Sequence, residues 1–593
     1  MIRSVLKFIF STFFWFCSAI GIVFVGLIFF LYLGGIGPFS PSTQPLKKDS
    51  VLSVILNGTY VEHRDSKGIG ALFLGKEASL YELTQGIIKA ASDDKIKGLV
   101  VRIESPSFGT AQLQELREAL TTFRDSGKPS WCYSDSFGES SSGTGLYYLA
   151  TACEEIWLQP LGMVNLMGIN LEIPFGKNAL EKLDINPEIA QRKEYKSFME
   201  MFTREDFSEA SRESQQAIAD SVLSQIVESI AKDRKLSHDQ VRFLIANGPY
   251  LTQEALNEKL VDRIEFRQAL TGVIKERLGQ HIAFLKMGSY LQNFQQLAQG
   301  DKVALIFGSG TIQRDGGRSI LDEVVISSNE TEKAFQQAVD DKDVKAIVYR
   351  INSRGGSPVA SETIYNVIRH TQQVAKKPVI ISMSDAAASG GYWISLAGSK
   401  IVAQPATLTG SIGVFGGKFI VSGFLEKLGI HVGSITTSDN ATMWSFTQPY
   451  NPAQWMKLNA MMDDIYQVFT THVAQSRHMT PEQVEKVARG RVWTGEQALA
   501  LGLVDQLGGL PTAIALAKKE VGLSPTAGVA VYPPSKTLLE GLSSLMDDSE
   551  DDFPNQAGIL GTFIYPFKKV TGIWRLLVSS PEILEAPLAE MKL

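Results

Sequence analysis

Ser389 sits in a run of small residues, DAAASGGYWISLAG from Asp385, placed between an apolar strand-like stretch (PVIISMS) and a helix-like one. Small residues allow close backbone approach, and a helix start presents unbonded N–H groups to a developing oxyanion. A serine hydroxyl is a weak nucleophile and needs a base. None of the seven histidines lies between His370 and His431, neither of those two resembles a triad member, and no GxSxG elbow surrounds Ser389. A lysine is the remaining kind of base, and Lys196, in AQRKEYKSFMEMF from Ala190, is the best candidate. An amine accepts a proton near neutral pH only when burial disfavours its charged form, which the aromatic and apolar context permits. Lys193, beside Arg192 and Glu194, reads as a solvated neighbour. Ser411, in TGSIGVFGG from Thr409, could orient the amine, although a turn serine between glycines is the commoner case. Gly355 and Gly356 in NSRGGSP end the run AIVYRI, where backbone N–H groups can face a ligand. With an amide near Gly390 they are oxyanion-hole candidates.

The elements that must position these groups occur twice. KIKGLVVRIESPSFG, holding Arg102, answers DVKAIVYRINSRGG, holding Arg350; YYLATACEEIWLQP from Tyr147 answers YWISLAGSKIVAQP from Tyr392; LEKLDI from Leu180 answers LEKLGI from Leu425. So long a period is a domain duplication. Thr144 stands opposite Ser389, Leu166 opposite Ser411, and Ala441 opposite Lys196. One copy offers a lysine without the serine and the other a serine without the lysine, which implies one site shared between two halves. In each half, continuous apolar runs alternate with helical periodicity, the pattern of buried parallel strands joined by crossover helices. Each half is therefore expected to be an α/β domain. Residues 205–248 and 452–490 read as more helical, with Thr480 and Pro481 as a helix start.

The 593 residues divide, on this reading, into a short N-terminal segment (1–7), an apolar membrane anchor (8–33), a Gly/Pro/Ser-rich linker (34–49), a first repeat (50–299), a second repeat (300–534), and an acidic loop with a C-terminal extension (535–593). Twenty-six uncharged residues rise roughly 39 Å as a helix, enough for a ~30 Å hydrocarbon core and too many for a cleaved signal. Basic residues flank both ends (Arg3 and Lys7, Lys47 and Lys48), so charge only slightly favours export of the main body. The net charge of −6 gives no reason to expect nucleic acid. Three cysteines make neither a disulfide framework nor a metal motif. Cys132 and Cys153 could pair in an oxidising compartment, but the reading weighs against it.

Four motifs in order, together with the duplication, resemble the signal peptide peptidase A (protease IV) family in its long, membrane-anchored form. They are YKSFMEMF, NSRGGS, ASGGYWI and TGSIGVFG. The resemblance covers about residues 50–535 plus the anchor. It implies two tandem Clp protease/crotonase-like domains, with Ser389 as nucleophile, Lys196 as general base and Ser411 positioning the lysine. It implies no cofactor and no metal. It further implies signal peptides and other apolar peptides as substrates, a homotetramer, and a location on the outer face of the bacterial cytoplasmic membrane. One departure is Arg354, where the family usually has proline. Two rivals, a crotonase-like acyl-CoA enzyme and a catalytically silent membrane scaffold, have no need of Ser389, Lys196 and Ser411 together.

Overall fold

The apolar runs that read as buried strands form two parallel sheets with the same strand order in the computed structural model, which describes residues 49–64, 78–292, 300–314, 324–534 and the backbone strand at 582–585. The first sheet runs Ala283–Lys286, Ser50–Val61, Ile96–Ser107, Ser130–Ser134, Glu155–Leu158, Arg263–Ile264. The second runs Gly528–Tyr532, Lys302–Ser309, Val344–Ser353, Val379–Ala388, Lys400–Ala403, Gln506–Leu507, with Leu408–Gly410 and Val492–Thr494 added at the Val379–Ala388 strand. Strands covered on both faces by helices have no solvent side, which is why their sequences run apolar instead of alternating.

The repeats share their anchoring bonds as well. Tyr147 and Tyr392 each donate a buried hydroxyl, at 2.8 Å, to the carbonyls of Leu260 and Leu503. Arg234 pairs with Asp262 and Arg477 with Asp505, and each aspartate also accepts a strand N–H, from Ile156 and Ile401. The two 26-residue helices, Glu209–Arg234 and Pro452–Arg477, start on side-chain caps from Ser208 and Asn451. Both end on a left-handed residue, Lys235 or His478. Thr480 caps Pro481–Val487, as its sequence leads one to expect.

The halves are fused along a wide internal seam. The Thr110–Asp125 helix buries Gln112, Gln114, Glu115 and Arg117 as well as its apolar residues, because its polar side also meets protein. Gln114 accepts from the Ala406 N–H at 2.8 Å, and Glu115 from that of Leu510 at 3.1 Å. The helix begins at Gly109, which has no side chain to cap it; the Asp385 carboxylate of the other half accepts the Gln112 N–H at 3.0 Å instead. A Cβ on Gly109 would overlap that carboxylate. A third, smaller sheet also crosses the seam, with Asn186–Arg192 antiparallel to Val414–Ile420.

Cys132 and Cys153 are joined in a disulfide, against the sequence reading; neighbouring strand and turn bring residues 21 positions apart face to face. Among the described residues no helix is long and apolar enough to cross a membrane. The expected anchor at 8–33, most of the linker, and all of 535–593 except the strand at Glu582–Glu585 lie outside the described residues.

Candidate active site

Strand Val379–Ala388 ends directly at Ser389, and helix Gly390–Ser395 starts after it. The turn holds Ser389 at φ 54°, ψ −116°, a conformation unfavourable for a residue with a Cβ. Local bonds hold it there: the Ser389 N–H donates to Gly410 O at 2.8 Å, and Ser389 O accepts from Trp393 at 2.9 Å. Gly390 and Gly391 are required by close approach, since a Cβ on the first would meet Ser361 Oγ and the Gly355–Gly356 backbone, and on the second Ser353 O.

Lys196 enters from the other half, 193 residues away in sequence, and its Nζ lies 2.7 Å from Ser389 Oγ. The same nitrogen is 3.0 Å from Ser411 Oγ and 3.1 Å from Ser411 O. All three residues are fully buried. These contacts orient the Lys196 amine toward the two hydroxyls. Ser411 is fixed by its own backbone, at φ 51° with its N–H donating to Arg491 O at 2.7 Å.

The lysine segment is clamped to the second half. The Asn186–Arg192 strand leads into it, and the Tyr195 N–H donates to Arg489 O at 3.1 Å. Gly490, at φ 85°, presses on the Lys196 backbone so closely that a Cβ would stand 2.5 Å from its nitrogen. Ion pairs Arg192–Asp463, Arg489–Glu194 and Arg491–Glu213 surround the clamp. Lys193 points outward, as read, pairing with Glu485 at 3.2 Å on the surface.

The three glycines of the expected oxyanion hole lie together, but the backbone N–H of one of them has a partner. The Gly355 N–H is already donated to Ser353 Oγ at 3.1 Å. Gly356 faces Gly390, its nitrogen 3.2 Å from where a Gly390 Cβ would be. Gly356 and Gly390 thus lie together beside the serine, while the Gly355 N–H has another partner. Arg354 is exposed. Alongside, the backbone of Glu582–Glu585 lies antiparallel between Gly355–Gly356 and Val414–Ile420, with Leu584 opposite Gly356 and Ile583 opposite Phe415. The edges at Gly355–Gly356 and Val414–Ile420 thus hold an extended chain segment between them by main-chain pairing.

At the equivalent place in the first half no such chemistry is possible. Thr144 spends its hydroxyl on Gly168 O and the Met167 N–H, both at 3.2 Å; Leu166 is buried packing; Ala441 is exposed.

Sequence reasoning missed the buried polar cluster behind Ser389. Arg350 donates to Glu62 at 2.8 Å and pairs with Glu115 at 2.9 Å, both from the other half, and also bonds Ser382 and Ser384. Burial pushes the Asp385 carboxyl up to about 7, with Glu62 adding to it against the Gln112 and Ala111 N–H groups and Arg350. Glu62 is buried too, yet Arg350 and donors from Ser384 and Gln112 outweigh that and hold it low. Glu115, with fewer donors, is pushed up by burial. The available signal was Arg350 itself, a charge inside an otherwise apolar strand run.

The chain is similar to known peptidases over most of its length. The profile of "Peptidase family S49" matches residues 122–281 and 371–524. Protease 4 of Salmonella typhi is 34% identical over 457 residues, 74% of this chain and 72% of that protein. The chloroplastic serine protease SPPA of Arabidopsis thaliana is 30% identical over 520 residues, 86% of this chain and 75% of that one. Among solved structures, a ClpP1 N165D mutant from Listeria monocytogenes aligns with 35% of this chain and 94% of its own, at 17% identity and a TM-score of 0.24.

Proposed function

The chain belongs to Peptidase family S49 and is a serine protease, and on that premise we propose that it cuts peptides with a Ser389/Lys196 dyad. The observation that carries the reading is the 2.7 Å contact between Lys196 Nζ and Ser389 Oγ, made by two buried residues from different repeats.

In this reading the Lys196 amine is neutral, the form that full burial favours for a basic group, and its lone pair is available. Ser411 directs that lone pair toward Ser389. The amine takes the Ser389 proton as Oγ attacks the peptide carbonyl, and the N–H groups of Gly356 and Gly390 stabilise the oxyanion. The resulting ammonium returns the proton to the leaving nitrogen, the C–N bond breaks, and the acyl chain stays on Oγ. The same amine then takes a proton from water, whose oxygen attacks the ester; the acyl–Oγ bond breaks, the ammonium gives that proton to Ser389 Oγ, and the acyl chain leaves as an acid. No metal or cofactor enters any step.

The groove filled by Glu582–Glu585 supports an extended peptide as substrate, read by its main chain between Gly356 and Val414–Ile420. We take the substrates to be apolar peptides, signal peptides among them. Residues 8–33 would anchor the chain in the bacterial cytoplasmic membrane with the two repeats outside, a setting in which the Cys132–Cys153 disulfide persists. The fold is taken as of the Clp protease/crotonase type.

The test is cleavage of an apolar signal-peptide substrate by the full chain in detergent, beside Ser389→Ala and Lys196→Ala. Both variants should lose on the order of 10³-fold or more in kcat with folding intact. Cleavage by either at the parent rate sinks the dyad; a folded but inert parent returns the silent-scaffold reading.

A further inference from the structure

The helix that follows Ser389 is short, Gly390–Ser395, and carries two groups that bear on the nucleophile. Gly390 lies beside Gly356, and the Trp393 N–H donates to Ser389 O at 2.9 Å. A helix of this length has too few internal bonds to fix its own direction, so its packing decides where the Gly390 N–H points.

Three side chains from three helices meet at Trp393. Glu362 Oε2, in Pro358–Gln373, accepts the Trp393 indole N–H at 2.9 Å and lies 2.9 Å from His472 Nε2, in Pro452–Arg477. The His472 ring stacks on Tyr365 at 4.1 Å and meets the Trp393 ring edge-on at 5.4 Å. Trp393 is 2% exposed and the His472 side chain 13%. Burial pushes the Glu362 carboxyl up, but the His472 and Trp393 donors, with Arg369, outweigh it and hold the group low. A carboxylate only accepts, so His472 carries a proton on Nε2. The Glu362 helix starts at Pro358, two residues after Gly356. Ser361 Oγ stands 2.7 Å from where a Gly390 Cβ would be, and the Gly356 nitrogen 3.2 Å. The two amides offered to an oxyanion thus stand at the starts of the two helices that Glu362 joins.

The first half has the same three places filled differently. Its helices match in length, Thr110–Asp125 with Pro358–Gln373 and Glu209–Arg234 with Pro452–Arg477. Their registers set Gln114 opposite Glu362 and Ser229 opposite His472, while Tyr148 stands opposite Trp393. Gln114 and Ser229 bond the Tyr148 hydroxyl. Gln114 also turns across the seam, accepting the Ala406 N–H at 2.8 Å and donating to Gln225 at 2.9 Å. The half without the nucleophile therefore keeps the three-way contact but has neither the carboxylate nor the imidazole. The shared fold does not require them.

We propose that Glu362 and His472 are positioning residues for the oxyanion hole: through the Trp393 indole they hold the Gly390–Ser395 helix against Pro358–Gln373, and so fix the spacing of the Gly356 and Gly390 N–H groups. This role rests on the peptidase reading of Ser389. His472, stacked on Tyr365, keeps the carboxylate turned toward Trp393, and the carboxylate keeps the short helix from turning about its axis.

The test compares two substrates with one apolar acyl chain, a peptide amide and a p-nitrophenyl ester, cut by the full chain in detergent. The oxyanion forms with both, while only the amide's leaving nitrogen needs a proton. Glu362→Ala should lower kcat about 10- to 100-fold, less than the ~10²–10³ that follows outright loss of an oxyanion donor, with KM near the parent's. Its kcat/KM should fall by the same factor on the ester as on the amide. His472→Ala should show the same even loss at smaller size. Glu362→Gln, which keeps an acceptor oxygen for the indole, should recover most of the rate. Parent rates in Glu362→Ala, a larger loss on the amide than on the ester, or a glutamine variant no better than the alanine one would each overturn the role. Ser389→Ala, run alongside, separates the two readings. If it still cuts the amide at the parent rate, the peptidase reading falls and this role with it. If it is inert while Glu362→Ala cuts at the parent rate, only this role falls.

Discussion

Asp385, four residues before the nucleophile, does two things: it lies in the strand that delivers Ser389, and its carboxyl accepts the Gln112 N–H at the start of helix Thr110–Asp125 in the other half. Its carboxyl is pushed up to about 7 by burial, from the ordinary 3.8. A carboxyl raised on folding binds its proton more tightly in the folded state, so the stability it contributes is complete below about pH 4. It is lost as pH rises through about 7. In Asp385→Asn the acceptor oxygen stays and the titration goes. Urea midpoints measured from pH 4 to 7 should therefore move in the variant's favour as pH rises, relative to the parent. Parallel curves would show that Asp385 does not titrate in this window. Neighbouring carboxylates cancel in that comparison, because both proteins share them.

At the scale of elements, the dyad depends on a clamp, since the lysine arrives on an irregular segment after Asn186–Arg192 and not on a long helix. Gly490 is the point of closest approach, and its positive φ and its contact with the Lys196 backbone both exclude a Cβ. Gly490→Ala should push the lysine segment away from Ser389 by a fraction of an ångström to an ångström. Misplacement of that size costs on the order of 10²-fold in rate. Steady-state kinetics should show the loss in kcat, with KM and the thermal melt close to the parent's. A normal kcat would mean that the clamp yields without moving the amine.

At the scale of the whole molecule, the halves are held by a buried charge cluster as well as by shared apolar cores. Arg350 is 1% exposed and faces Glu62 and Glu115 across the seam. Arg350→Met would leave two buried carboxylates facing each other, a change that costs about 3–5 kcal/mol when one side of a buried pair is removed. Urea unfolding should register that loss, and adding Glu62→Gln and Glu115→Gln should recover part of it. If the single variant is as stable as the parent, the cluster contributes nothing to joining the halves.

Much of this was legible in the sequence because it is written in local chemistry. Continuous apolar runs specify buried parallel strands, the repeated segments specify two like halves, and the small residues around Ser389 specify a tight strand-to-helix turn. Lys196 stood out by elimination of histidine and by its apolar setting. Other features arise only from contact between distant segments. The polar residues of Thr110–Asp125 are covered by the other half, which nothing in their own stretch of sequence specifies. Cys132 and Cys153 carry no signal in their spacing, and only the packing of strand against turn brings them together. Periodicity records whether a residue meets protein or water, not which protein surface it meets. The sequence by itself determined the two repeats and the division of serine and lysine between them. Only the tertiary structure decided that the two groups stand 2.7 Å apart, because a hydrogen bond across 193 residues is set by the packing of one half on the other.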